Sequence, residues 1–169
     1  MKNLQKTEQM YEGKAKKVFA TNDPNLVIVD YKDDATAFNG EKKGTIHNKG
    51  IINNKVTNHL MKLLEKEGIP THFVEEISDR ETIVKKVSIV PLEVIVRNIT
   101  AGSLAKRLGL DEGIKLSQTV LEYCYKDDDL GDPMVNEYHI MAMQWCTKEE
   151  LDTIANYALK INEFLTAYL

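Results

Sequence analysis

Residues 81–98 carry two apolar, β-branched runs back to back, ETIVKKVSIV and LEVIVRN, with only Pro91 between them. Branched Cβ atoms pack well on a pleated surface, so such runs commit the chain to sheet structure. More strand candidates flank them: the segment around Val18 and Phe19, LVIVDY (26–31), THFVEEI (71–77) and the extended KLSQTVLEYCYK (115–126). The turn NDPN (22–25) is short enough to make its flanking strands an antiparallel hairpin.

Helices are specified as well. Ile52, Val56, Leu60, Leu63 and Leu64 recur at helical spacing, Gly68 supplies a C-terminal stop, and Pro70 prevents resumption. Thr147 and Glu150 form a T-x-x-E capping box. The helix it opens carries Leu151, Ile154, Ala155, Ala158, Ile161 and Leu165 on one face. Residues 102–109 read as a short helix closed by Gly109. Residues 32–50, with three glycines, four lysines and little periodicity, read as a long loop of the kind that often carries function. A strand-rich stretch (1–90) followed by a mixed one (91–169) predicts an α+β protein of two lobes. With 169 residues, 43% of them hydrophobic, the chain can fill one sizeable core or two small ones.

Several function classes are disfavoured. The formal net charge of -4 and the lack of aromatics among the lysine clusters argue against nucleic-acid binding. No apolar run approaches the ~18 residues of a membrane helix. The N-terminus MKNLQKTEQMYEG has no apolar signal core, so a cytoplasmic protein is expected. Cys124 and Cys146 show no metal spacing and read as reduced thiols. The four histidines share no ligand spacing, and the six methionines read as packing.

Chemistry is suggested by VRNITAGS (96–103). A strand ends in Arg97, Gly102 allows a tight turn, and Ser103 is placed to cap the helix that follows. A helix start offers backbone amides to an anion, and Arg97 with Arg107 would add planar cationic forks. The residue types suit a phosphate or a carboxylate. A strand, turn and capped helix are also common without any ligand, so these residues permit an anion site without requiring one.

The segment IVPLEVIVRNITAGS (89–103) resembles the diagnostic stretch of the SAICAR synthetase family, through Pro91, Glu93, Arg97, Ala101, Gly102 and Ser103. YEGKAKKVF (11–19), DDATAFNG (33–40), INNK (52–55), GIPTHF (68–73) and YKDDDLGDPMVNE (125–137) resemble the family too, so the likeness covers nearly the whole chain. It implies a two-lobed, ATP-grasp- or kinase-like fold. Residues 1–90 would be a β-rich nucleotide-binding lobe, and 91–169 an incomplete α/β substrate lobe.

The activity implied is ATP-dependent ligation of L-aspartate to a phosphoribosyl-aminoimidazole carboxylate, with Mg²⁺ as cofactor. By the same resemblance, Lys14, Lys16 and Lys126 would be catalytic. Gly13, Ala15, Val18, Lys86, Val90 and Glu93 would line the nucleotide with them, with Lys14 and Lys16 on one strand face. Arg97, Ser103, Arg107 and Asp132 would bind substrate. Relatives are often dimers, so a homodimer is the expected partner state. Asn39 departs from the aspartate that many relatives carry. Family members also continue beyond Leu169, through segments expected to supply the magnesium ligands. A truncated chain with little activity of its own is therefore expected, and its second lobe would expose an apolar face. An inactive ATP-binding fragment and a small-molecule kinase are the alternatives.

Overall fold

The computed structural model describes residues 4–37 and 42–169, and it divides into two compact units, Met1–Ser88 and Ile89–Leu169. Asn39 lies outside the described residues.

In the first unit β1 (Lys6–Glu12), β2 (Lys16–Thr21), β3 (Leu26–Tyr31), β6 (Phe73–Glu76) and β7 (Glu81–Lys85) form one antiparallel sheet in the order β1-β2-β3-β7-β6. The hairpin expected at NDPN is the β2–β3 pair, with Val18 opposite Val29. Val27, Val29 and Val84 form its buried apolar cluster, with Val18 and Tyr31 packed against it. The stretch expected to be a loop instead holds a two-stranded ribbon, β4 (Asp34–Ala37) with β5 (Lys42–Thr45). Its register comes from backbone pairing, which leaves no mark on hydrophobic periodicity.

Helix α1 (Lys49–Lys66) ends as expected, with Gly68 at φ 75° just beyond it. Its most buried positions are not the apolar ones, although Leu60, Leu63 and Leu64 are half-buried. Ile52 and Val56 are 59% and 51% exposed, whereas Asn54 and Asn58 are 0% and 2% exposed. The reason is Thr82 on β7. Its hydroxyl donates to Asn54 Oδ1 at 2.6 Å, and Asn58 Nδ2 donates back to it at 2.8 Å. Asn54 Nδ2 also reaches the carbonyls of Ser78 and Asp79. Every buried side-chain polar atom among the described residues is hydrogen-bonded, as a polar contact away from water requires.

In the second unit β8 (Leu92–Ile99), β9 (Lys115–Tyr125) and β10 (Met134–Val135) make a three-stranded antiparallel sheet in the order β10-β9-β8. Helices α2 (Gly102–Leu108), α3 (Glu137–Ala142) and α4 (Lys148–Tyr168) complete it. Leu92, Tyr123, Ile140 and Leu151 are its buried core. The capping box that starts α4 is present in both directions: Thr147 N donates to Glu150 Oε2 at 2.8 Å, and Glu150 N to Thr147 Oγ1 at 3.2 Å. An open apolar groove of about 500 Å³ runs between β8 and α4, floored by Val94, Val96, Ile154 and Ile161. β7 stops at Lys85, so 86–90 is not the strand end that its composition predicts. No described helix is long and apolar enough to cross a membrane.

Candidate functional site

Side chains alternate across a strand, and directly paired residues share a face. Ile95 pairs with Glu122, Arg97 with Val120 and Glu93 with Cys124. Leu92, Val94, Leu121 and Tyr123 therefore meet the core on one face, and Glu93, Arg97 and Glu122 lie on the other. Glu93 and Arg97 are four residues apart, roughly 13 Å along the strand. Two charged clusters occupy that face.

The first joins four side chains. Arg97 Nε donates to Glu122 Oε2 at 2.7 Å, and Arg97 Nη2 donates to Ser103 Oγ at 2.9 Å. Arg107, on α2, donates from Nη2 to the other Glu122 oxygen. Two guanidinium groups and one carboxylate leave this cluster one positive charge in excess, with a hydroxyl at its edge.

Ser103 does not cap α2. The N-cap is Ala101, in an extended conformation, and the helix begins at Gly102. Gly102 adopts φ 53°, which an L side chain rarely does, and this starts the helix one residue before Ser103. The Ser103 hydroxyl is thereby released from capping and accepts from Arg97. Nor is the helix start a set of open amides, because Gly102 N donates to Glu112 Oε1 at 2.8 Å.

The second cluster is Lys126 with Glu93, Nζ to Oε1 at 3.3 Å. Hydrogen bonding and charge from Glu93 raise the Lys126 pKa. The acidic turn after Lys126 is largely occupied with its own backbone. Asp127 Oδ1 accepts from the amides of Asp129 and Leu130, and Asp132 Oδ1 accepts from the amide of Asp127 at 2.9 Å. Asp132 has φ 49° and closes the loop. Among the described residues no three His, Cys, Asp or Glu side chains gather in a way that could hold a metal ion.

The remaining predicted residues lie in the first unit, except Val90 near the start of the second. Gly13, Lys14 and Ala15 form the turn between β1 and β2, closed by Gly13 N donating to the Lys16 carbonyl at 2.9 Å. Lys14 is therefore in a turn and not on one strand face with Lys16, because strand alternation begins only at Lys16. Lys16 does share a face with Val18.

Lys14 and Lys16 form no ion pair with a described residue, whereas Lys17 pairs with Glu12 at 3.9 Å and Lys32 with Glu12 and Asp34, both at 2.6 Å. Burial lowers the pKa of His72, and the charges of Lys16 and Lys85 lower it further. Lys16 and Lys85 therefore both lie near His72. Lys86 donates its amide to the Asn25 carbonyl at 2.8 Å, and Val90 packs against the second unit's core.

Glu122 was not foreseen. Its one signal in the sequence is a lone acid inside the apolar run VLEYCY, which identifies neither its face nor its partners.

The family whose sequence model matches residues 9–169 is described as SAICAR synthetase. Phosphoribosylaminoimidazole-succinocarboxamide synthase of Lachnoclostridium phytofermentans is 62% identical over 165 residues, 98% of this chain and 70% of that protein. The crystal structure of the same-named enzyme from Ehrlichia chaffeensis superposes with a TM-score of 0.89 at 47% identity, over 94% of this chain and 67% of that one. A SAICAR synthetase solved in complex with ADP superposes with a TM-score of 0.88 at 46% identity, over the same shares.

Proposed function

The chain belongs to the SAICAR synthetase family, and on that premise we propose that it joins L-aspartate to 5-amino-1-(5-phosphoribosyl)imidazole-4-carboxylate, splitting ATP to ADP and phosphate, in purine biosynthesis. A carboxylate is a poor acyl donor because oxide would have to leave. Moving the γ-phosphoryl group of ATP onto a carboxylate oxygen releases ADP and gives an acyl phosphate. The aspartate amine then attacks the acyl carbon, phosphate departs with the C–O bonding electrons, and the nitrogen loses a proton as the amide forms. No side chain needs to bond to the substrate, so catalysis reduces to positioning and charge neutralisation.

The observation that carries the substrate side is the Arg97–Ser103 contact at 2.9 Å, which sets a guanidinium and a hydroxyl side by side for the ribose 5-phosphate. Arg107 supports that grip. On the nucleotide side, Lys14 and Lys16 are cations without carboxylate partners among the described residues, suited to ATP phosphates. Val18 supplies apolar surface for the adenine, and the Gly13–Ala15 turn and Lys86–Val90 supply backbone. Lys126, drawn from Glu93, neutralises phosphate charge, and Asp132 keeps its loop in shape. Magnesium commonly accompanies phosphoryl transfer. The described residues form no cluster that would hold it. The same reading includes a cytoplasmic location.

The test is ADP release measured with each substrate omitted in turn. Release that requires both aspartate and the imidazole carboxylate is expected. A stable phosphorylated product formed without aspartate would make the protein a kinase. Nucleotide binding with no turnover under any combination would make it an inactive fragment.

A further inference from the structure

We propose that Glu122 is a positioning residue that fixes Arg97 and Arg107 for phosphate recognition, a role that rests on the anion-site reading of Arg97 and Ser103. Glu122 is only 9% exposed, and an ionised carboxylate so far removed from water needs charged partners. It has two, one on each oxygen: Arg97 Nε at 2.7 Å and Arg107 Nη2.

These contacts select the edge of Arg97 that remains available. Nε is engaged by Glu122, and Nη2 gives one hydrogen to Ser103. Nη1 has no hydrogen-bond partner among the described residues, so the outer end of the guanidinium is left to meet the oxygens of a tetrahedral anion. Glu122 also offsets one of two neighbouring positive charges, which lets both guanidinium groups stand close together. Without it, Arg107 has no other partner among the described residues. A long side chain on a short surface helix then regains its rotamer freedom in water. Glu122 thus converts two mobile cations into one preorganised grip with a single excess charge, and preorganisation of this kind raises affinity by lowering the ordering cost of binding.

The experiment measures binding of the phosphoribosyl imidazole carboxylate and of its dephosphorylated nucleoside by calorimetry. The proteins are the wild type, Glu122→Gln, Glu122→Asp, Arg97→Ala and the Arg97→Ala/Glu122→Gln double variant. Wild type should prefer the phosphorylated ligand. Glu122→Gln and Arg97→Ala should each lose about tenfold or more of that preference, with nucleoside affinity changed less than about twofold. The double variant should lose little beyond Arg97→Ala alone, because the two residues act as a unit. Glu122→Asp, which keeps the charge, should retain most of the preference.

A Glu122→Gln protein with its phosphate preference intact, beside an Arg97→Ala protein that has lost it, overturns the role of Glu122 alone. Equal loss of both ligands in Glu122→Gln shows a general structural defect and also overturns it. Undiminished preference in Arg97→Ala sinks the anion-site reading and this inference with it.

Discussion

Arg80 grips Asp33 with both terminal nitrogens, Nη1 to Oδ1 at 2.7 Å and Nη2 to Oδ2 at 2.8 Å, across 47 residues of sequence. The amide of Gly50, in the first turn of α1, donates to the same Oδ1 at 2.8 Å. One carboxylate therefore ties the end of β3, the start of α1 and the start of β7 together. Planar, bidentate pairing of this kind constrains direction as well as distance.

Gly50 has no room to be anything else. A Cβ there would lie 2.4 Å from the Tyr31 carbonyl oxygen and 2.5 Å from Arg80 Nη1. Gly50→Ala should cost about 2–3 kcal/mol as backbone and guanidinium are pushed apart. The urea midpoint measures this, and an unchanged midpoint would show that the helix start is not pinned.

Acid should loosen the same junction. The hydrogen bond from Arg80, followed by that from the Gly50 amide, holds the Asp33 carboxyl well below the usual carboxylate range. A group whose pKa is depressed by folding contributes its stability above its unfolded pKa, near 4. That contribution is lost as pH falls from there towards the folded value. Urea unfolding from about pH 7 down to pH 3 should therefore show a decline that Asp33→Asn flattens, since asparagine has no such titration. Parallel declines in the two proteins would refute the assignment.

The lysines of the first hairpin should separate by their partners. Lys16→Met should weaken ADP binding roughly tenfold, about 1.4 kcal/mol, and the remaining affinity should depend less on salt. Lys17→Met should leave binding nearly unchanged, because Lys17 is turned to Glu12 at 3.9 Å. Calorimetry at two ionic strengths distinguishes them, and equal losses would mean that strand position does not matter.

Asn58→Ala should destabilise the first unit by about 2–3 kcal/mol. It takes one donor from the Thr82 hydroxyl and one from the Asn54 amide oxygen, and leaves a void, in a region closed to water. Thermal unfolding measures the loss.

Parts of the candidate site were legible because their geometry is local. Arg97 and Ser103 are six residues apart, and a strand followed by a turn and a helix brings them within reach of each other. The hydroxyl's partner was misread: a serine beside a glycine at a helix start has the pattern of a cap, and the positive φ of Gly102 moved the boundary. Glu122 was not legible because its partners come from β8 and α2, 25 and 15 residues back along the chain. The ribbon of β4 and β5 was missed for a related reason, since backbone pairing between polar residues carries no periodic signal.

What the sequence determined by itself was a set of features whose causes lie within about one helical turn or one hairpin of their effects. The Thr147–Glu150 box, the stop at Gly68 and the turn at NDPN all belong to this class, because neighbouring dihedrals and short-range hydrogen bonds suffice to set them. Tertiary structure alone decided which face of α1 is buried, where Asp33 is anchored, and which edge of Arg97 is left open. Each of these is settled by a charged or amide group meeting a partner many residues away. Burial makes that meeting compulsory, but the order of residues does not say which partner it will be.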